Sequence, residues 1–163
     1  MSRQSILDQV NDFGVQHVTV TGGEPLSQKA VHGLLTALCD SGYQVSIETS
    51  GALPVDDVDA RVTVVMDIKS PSSGEHKKNC YDNIPKLKPV DEVKFVICNR
   101  EDYEWACECI LEHRIIEQCD VLMSPAFTEQ DPAELAQWIL EDKLPVRFQL
   151  QLHKLLWGDK PGH

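Results

Sequence analysis

The sequence predicts one α/β domain whose mostly parallel sheet forms a partial, incomplete TIM-like barrel. Three observations lead to this prediction. Six short segments have the composition of β-strands, amphipathic helical patterns lie between most of them, and the strands carry polar residues mainly on one face. Strands that alternate with helices are typical of parallel sheets. The length of 163 residues suits a single domain, so we expect one domain over residues 1–163.

The candidate strands are rich in β-branched and aliphatic residues and are bounded by turn residues. They cover residues 15–21, 44–50, 62–69, 92–98, 120–126 and 146–153. The last segment alternates most regularly, with an apolar residue at every second position from Val146 to Leu152.

The predicted helices fill most of the intervals between these strands. A first helix ends at Gly14, and a second, with apolar residues at i, i+3, i+4 and i+7 from Val31, ends at Gly42. A third covers residues 101–116. A fourth opens at Asp131 as N-cap, with Glu134 as the acid of a capping box.

The polar faces of the strands indicate where a site would lie. A doubly wound sheet is buried on both faces, and its strands are nearly continuous apolar runs. Here polar residues alternate with apolar ones and gather toward the strand ends, at Thr21, Glu48, Asp67 and Ser124. Barrel enzymes build their sites at these carboxyl ends. The alternative is an ordinary sheet with one solvent-exposed face.

Composition excludes several functional classes. A formal net charge of −11 disfavours nucleic-acid binding, which needs clustered Lys and Arg. No apolar run is long enough for a membrane span, and the first residues lack the apolar core of a signal peptide, so we expect a cytoplasmic protein. The cysteines form no CxxC pair, and we expect buried, unreactive thiols at Cys39, Cys80, Cys98, Cys107, Cys109 and Cys119.

A glycine pair follows the first predicted strand, in the run Thr21-Gly22-Gly23-Glu24-Pro25. Glycines let the backbone approach a ligand closely, and Glu24 supplies an acceptor for a cationic group. The run is not GxGxxG, and no GxxxxGK[ST] occurs, so a site for nucleotide phosphates is poorly supported. An alternative for Glu48 and Asp67 is an ion-pair network with Lys69 and Lys94.

Together with further motifs, this run resembles the 7-carboxy-7-deazaguanine synthase family of radical S-adenosylmethionine enzymes. The other motifs follow in the family's order: Glu48-Thr49-Ser50-Gly51, residues 67–75, residues 93–97, Ser124-Pro125 and residues 147–154. The resemblance covers essentially the whole chain.

The resemblance implies a reaction and a set of cofactors. A [4Fe–4S] cluster would cleave S-adenosylmethionine reductively. The resulting radical would start the conversion of 6-carboxy-5,6,7,8-tetrahydropterin to 7-carboxy-7-deazaguanine, with loss of ammonia, in queuosine biosynthesis. The resemblance also implies Mg²⁺, a homodimer, and a reductant such as flavodoxin.

It further implies roles for individual residues. The cofactor is a sulfonium zwitterion, whose ammonium group needs acceptors and whose carboxylate needs donors. Gly22, Gly23 and Glu24 would hold the ammonium group. Ser50 and the turn Lys69-Ser70-Pro71 would flank the carboxylate and ribose, and Ser124, Pro125, Ala126 and Phe127 would bracket the adenine. Thr21, His153 and the terminal His163 would contact the pterin.

The sequence departs from the family in one respect. Family members carry a first strand and a CxxxCxxC-type cluster loop before the glycine motif, followed by a threonine implicated in Mg²⁺ binding; none of these occurs here. We therefore expect the chain to correspond to the C-terminal three-quarters of a synthase and to be inactive alone. Alternatives are a non-catalytic module that binds S-adenosylmethionine, a pterin or a partner subunit, and an unrelated α/β metabolic enzyme.

Overall fold

The structure, a computed structural model, describes residues 2–158 and contains one open sheet of six strands. The strands are β1 (His17–Val20), β2 (Gln44–Thr49), β3 (Thr63–Asp67), β4 (Glu92–Ile97), β5 (Asp120–Pro125) and β6 (Arg147–Phe148). They lie in chain order, and all neighbours are parallel. The predicted fold class, an unclosed α/β sheet of parallel strands, is confirmed.

Helices connect several of these strands. The helices of residues 2–158 are α1 (Arg3–Asp12), α2 (Val31–Asp40), α3 (Arg100–Glu112), α4 (Pro132–Glu141) and α5 (Leu152–Trp157). Of these, α2, α3 and α4 connect strands, α1 precedes β1 and α5 follows β6. Short 3₁₀ turns replace helices between β3 and β4. None of the helices within residues 2–158 is both long and apolar enough to cross a membrane.

The hydrophobic core lies on one face of the sheet. There α2 packs against β2, α3 against β4 and α4 against β5. Ile47, Met66, Phe95 and Met123, which point toward the helices, are at most 1% exposed. In β2, β3 and β4 the alternate residues are partly or fully exposed, as the polar pattern predicts. The strand β5 differs, because from Val121 onward it is buried on both faces.

The predicted strand over residues 146–153 is wrong beyond Phe148. The Gln149 N–H donates to the Met123 carbonyl at 3.0 Å. The next ladder bond would need an N–H at position 125, which Pro125 lacks. The chain then turns into α5, so His153 lies on a short helix and not at a strand end.

The predicted helix over residues 101–116 ends early for a local reason. Arg114 has a left-handed φ of +51°, which ends α3 and separates it from a 3₁₀ turn at Ile115–Glu117. The predicted N-cap of α4 is confirmed, because Asp131 Oδ1 accepts the N–H groups of Ala133 and Glu134. The Glu134 carboxylate, however, accepts a hydrogen bond from the Gln130 side chain, so Glu134 does not act as the predicted acid of a capping box.

Candidate functional site

Three cavities lie along the carboxyl ends of the strands, and all three are lined by Lys94. We call them together the polar groove. The turn cavity, about 110 Å³, is lined by Thr21, Gly23, Ser50 and Lys69. The loop cavity, about 500 Å³, is lined by Lys69, Ser70, Ala126 and Phe127. The Ser124 cavity, about 520 Å³, is lined by Thr21, Glu48, Ser124 and Gln149.

The glycine turn forms the first wall of the groove. Gly22 and Gly23 have positive φ angles of +103° and +54°. A Cβ at either position would meet no atom within 4 Å, so backbone conformation and not close packing favours glycine here. The turn leaves Gly23 facing the turn cavity, beside Thr21.

The Glu24 carboxylate ties this turn to the end of β2. Its Oε1 accepts the Leu26 N–H at 3.0 Å, and both oxygens lie 2.9 Å from the Thr49 hydroxyl. Its Oε2 also accepts the Ser50 N–H at 2.8 Å and the Ser50 hydroxyl. Four donors match the roughly four acceptor sites of a carboxylate. The sequence pairs Glu24 with a ligand, whereas the structure gives it a role in holding the turn.

These hydrogen bonds set the charge state of Glu24. Burial alone would raise its pKa, but the bonds from Ser50, Leu26 and Thr49 outweigh that effect and hold the pKa below its ordinary value of 4.5. Glu24 is therefore a carboxylate at neutral pH, and it places negative charge beside the turn cavity.

Lys69 is held at the next strand end. The Asn79 side chain accepts the Lys69 N–H at 3.0 Å and donates to the Lys69 carbonyl at 2.9 Å. The Lys69 ammonium pairs with Asp67 at 2.8 Å. The ion pair that the sequence suggests as an alternative is therefore present between Asp67 and Lys69. Glu48 instead accepts a hydrogen bond from the Thr21 hydroxyl at 3.3 Å.

A buried carboxylate anchors the loop after β3. Asp102, on α3, is 0% exposed and accepts the Ser70 hydroxyl at 3.1 Å and the Ser72 N–H at 3.0 Å. It also accepts the Cys98 N–H at 3.2 Å, at the end of β4. Asp102 thus ties the loop that carries Ser70 to the end of β4, and the Ser70 hydroxyl also lies 3.1 Å from the Val96 carbonyl of β4.

The remaining predicted site residues are spread more widely. Pro125 lines a further cavity of about 500 Å³, next to Ala126 and Phe127. Pro71 is exposed at the start of a 3₁₀ turn. The backbone of His153 belongs to α5, but its side chain lies outside the described part of the chain, as does the whole of His163.

The cysteines are free thiols, and Cys109 and Cys119 are buried, as predicted. The prediction of a buried thiol is wrong for the others, which are only partly buried: Cys39, Cys80, Cys98 and Cys107. Burial raises the pKa of Cys39 and Cys107, that of Cys109 and Cys119 to about 11, and that of Cys98 to about 12. Between residues 2 and 158, no three His, Cys, Asp or Glu side chains form a group that could hold a metal ion. The described residues therefore do not fit an iron–sulfur cluster.

Sequence reasoning missed three residues of this site. Asn79 lies in a stretch without periodicity, and Asp102 has the position of an ordinary acid in the first turn of a helix. Lys94 was expected only as an ion-pair partner. For Lys94 a signal was available, since a lysine in the middle of a strand otherwise rich in apolar residues is expensive to bury.

Comparison with solved structures identifies the class of fold. The crystal structure of QueE from Escherichia coli superposes with a TM-score of 0.72 at 20% identity, over 93% of this chain and 64% of that chain. Streptococcus suis SuiB bound to S-adenosylmethionine gives a TM-score of 0.62 at 16% identity, over 90% of this chain and 40% of that chain. At such identities the likeness shows a shared fold.

Comparison of sequences identifies the family. A 7-carboxy-7-deazaguanine synthase of Chlorobaculum tepidum is 46% identical over 161 residues, covering 97% of this chain and 73% of that protein. One of Koribacter versatilis is 42% identical, covering 86% of this chain and 68% of that protein. No protein-family model matches the chain. The chain belongs to the 7-carboxy-7-deazaguanine synthase family of enzymes, as its motifs predict.

Proposed function

We propose that the chain serves the conversion of 6-carboxy-5,6,7,8-tetrahydropterin to 7-carboxy-7-deazaguanine, with S-adenosylmethionine and the pterin bound in the polar groove. The main support for this proposal is the turn cavity, which is lined by four residues from the family's motifs: Thr21, Gly23, Ser50 and Lys69. They come from positions up to 48 residues apart in sequence, so the fold and not local sequence unites them.

The donors and acceptors around the turn cavity suit a zwitterionic amino acid. Carbonyl groups of the turn at Gly22 and Gly23, together with the charge of Glu24, would attract the methionyl ammonium group. The Lys69 ammonium and the Ser50 hydroxyl would donate to the methionyl carboxylate. Asp67 keeps Lys69 in place through the 2.8 Å ion pair.

The loop cavity suits the nucleoside part of the cofactor. Ser70 and Pro71 would flank the ribose, while Ala126 and Phe127 would bracket the adenine. Phe127 is 39% exposed, which leaves part of its ring free to stack on a base. Thr21 and the C-terminal residues His153 and His163 would contact the pterin.

S-adenosylmethionine, when bound, would supply the radical chemistry that the family resemblance implies. The residues of this chain would orient the cofactor beside the pterin and exclude water from the two. The family's [4Fe–4S] cluster and Mg²⁺ have no ligand set among residues 2–158. For this reason we propose no turnover by the 163-residue chain alone. A homodimer and an external reductant remain proposals from the family resemblance.

A non-catalytic binding module is the second candidate function. It is favoured by the combination of a formed groove with the lack of a metal-holding group in the described residues. Such a module would bind S-adenosylmethionine or the pterin, or pair with a partner subunit, without chemistry.

Calorimetric titration of the full chain tests the proposed binding function. We expect saturable binding of S-adenosylmethionine and of 6-carboxypterin, a stable oxidised analogue of the substrate. Lys69→Met should weaken binding of S-adenosylmethionine, while the matched variant Lys143→Met, at an exposed position after α4, should not. Failure of both ligands to bind the folded wild-type chain would refute the proposal.

Reconstitution with iron and sulfide tests the proposed lack of turnover. For the chain alone, we expect neither the absorption of a [4Fe–4S] cluster nor product. A cluster spectrum with product formation would show that the chain is catalytic as it stands, against our proposal of no turnover.

A further inference from the structure

Lys94 is an unpaired cation at the centre of the polar groove. It lies in the middle of β4, beside Asp67 of β3, and it lines all three cavities. Its neighbour Asp67 already pairs with Lys69. Among the described residues, the Lys94 ammonium forms no hydrogen bond and no ion pair. A partly buried ammonium loses hydration, and without a partner no hydrogen bond or ion pair offsets that cost in free energy. The position of Lys94 therefore favours a role in binding a ligand.

Ser124 supplies a second, independent observation. This residue is 0% exposed, and its hydroxyl oxygen has no hydrogen-bond partner among the described residues. A buried hydroxyl without a partner is costly, and native structures rarely tolerate one. Ser124 lines the same cavity of about 520 Å³ as Lys94.

This cavity differs from the one assigned to the nucleoside. Ser124 shares its cavity with Thr21 and Glu48, whereas Ala126 and Phe127 line the loop cavity. The family motif groups Ser124 with the adenine contacts, but the fold groups it with Thr21, the residue expected to meet the pterin. The Glu48 carboxylate adds an acceptor to the two donors, Lys94 and Ser124.

We propose that Lys94 and Ser124 together bind an oxygen acceptor of the pterin substrate, either its ring carbonyl or its carboxylate. This inference rests on the proposed function. A pterin carries N–H donors beside a carbonyl group, so it complements a cavity that offers a carboxylate at Glu48 and donors at Lys94 and Ser124. Ser124 lines neither of the two cavities assigned to S-adenosylmethionine, whereas Lys94 lines both.

Calorimetric titration of the full chain tests this assignment with three probes: 6-carboxypterin, pterin without the carboxylate, and S-adenosylmethionine. The variants are Lys94→Met, which removes the charge at similar length, Lys94→Arg, which keeps it, and Ser124→Ala. Lys143→Met is the matched control for loss of one exposed lysine. Circular dichroism and thermal melting establish that each variant is folded.

We expect Lys94→Met to weaken binding of 6-carboxypterin at least about tenfold, which corresponds to about 1.4 kcal/mol. Ser124→Ala should weaken it by about threefold to tenfold, and Lys94→Arg should restore most of the affinity. Affinity for S-adenosylmethionine should change less than about twofold in Ser124→Ala, and Lys94→Met should weaken binding of 6-carboxypterin more than binding of S-adenosylmethionine. A loss confined to 6-carboxypterin identifies the carboxylate as the acceptor, and an equal loss for pterin identifies the ring carbonyl.

Two outcomes would overturn the inference while the proposed function stands. In one, the wild-type chain binds 6-carboxypterin, and Lys94→Met and Ser124→Ala bind it equally well. In the other, the variants lose S-adenosylmethionine and keep the pterin. If the folded wild-type chain binds no pterin at all, the proposed function fails, and this inference fails with it.

Discussion

The two faces of the sheet are built from alternate residues of the same strands, and they differ in role: one packs in the core, and the other lines the polar groove. In β4, Val93, Phe95 and Ile97 are 0% exposed beneath the helices. Lys94, one residue away, faces the polar groove. Burial of apolar surface on the helix face supplies stability, and the groove face collects groups that need partners. Substitutions one residue apart should therefore separate stability from ligand binding.

The largest effect is expected on the helix face. Phe95→Ala removes a fully buried ring that packs edge-on against Trp105, with centroids 6.2 Å apart. The free energy of unfolding should fall by about 3–5 kcal/mol, as in other buried Phe truncations. Urea denaturation measures it. Lys94→Met is the paired control, and an equal loss of stability in that variant would contradict the division between faces.

The second effect concerns the connection between the faces. Asp102→Asn keeps the volume of a buried side chain but turns an amide toward N–H donors from Ser72 and Cys98. We expect a loss of about 1–3 kcal/mol in the free energy of unfolding, because an asparagine has one acceptor oxygen and the N–H of either Ser72 or Cys98 is left without an acceptor.

Binding of S-adenosylmethionine should weaken as well in Asp102→Asn, because the Ser70 loop loses its anchor. Calorimetry of the folded variant measures this. Glu101→Gln, an exposed acid on the same helix turn, is the control. Normal affinity in a destabilised Asp102→Asn would show that the loop needs no such anchor.

A smaller, pH-dependent effect is expected at the glycine turn. Glu24→Gln replaces a carboxylate that accepts four donors, and it should cost about 1–2 kcal/mol near pH 7. The folded-state pKa of Glu24 lies below 4.5. Its contribution to stability is therefore complete above pH 4.5 and is lost as pH falls through the lower folded-state value.

Denaturation of the wild-type chain and of Glu24→Gln across pH 3–7 checks this sign. The difference between the two should shrink below about pH 4.5. In Glu108→Gln, an exposed acid on α3, stability should differ little from wild type at any pH. A gap between wild type and Glu24→Gln that widens toward acid pH would show that Glu24 is not held by these bonds.

The smallest effect is expected at the amino end of the groove face. The Ser46 hydroxyl lies 3.0 Å from that of Thr19 at an exposed position. Ser46→Ala should change stability by no more than about 0.5 kcal/mol and should leave ligand affinity unaltered, because the groove lies at the opposite strand ends. Denaturation measures the stability of this variant, and calorimetry measures its affinity for S-adenosylmethionine. A loss of affinity would show that the binding site reaches as far as Ser46.

The sequence predicts most of the fold because its signals are periodic. The alternation in β2 to β4 predicts both the strands and their two faces, and Asp131 predicts the start of α4. The end of β6 was not predictable from alternation alone. It depends on Pro125 of the neighbouring strand, which cannot donate the next ladder bond.

Only the site residues that belong to the family's motifs could be predicted from the sequence. Thr21, Gly23, Ser50 and Lys69 do converge, but the partners that hold them lie far away in sequence. Asn79 and Asp102 act through hydrogen bonds to backbone groups, which leave no periodic signal. Likewise, the saturation of Glu24 depends on Thr49 and Ser50, about 25 residues further along the chain.

Hydrogen exchange with bound ligand is the most direct test of the central claim, that ligands bind the groove face at the carboxyl ends of the strands. With saturating S-adenosylmethionine, we predict slower exchange in residues 21–26, 49–51 and 67–73, with helix α2 unchanged. Adding 6-carboxypterin should extend protection to residues around Lys94 and Ser124. Protection confined to the helices, or none in these segments at saturation, would contradict the account.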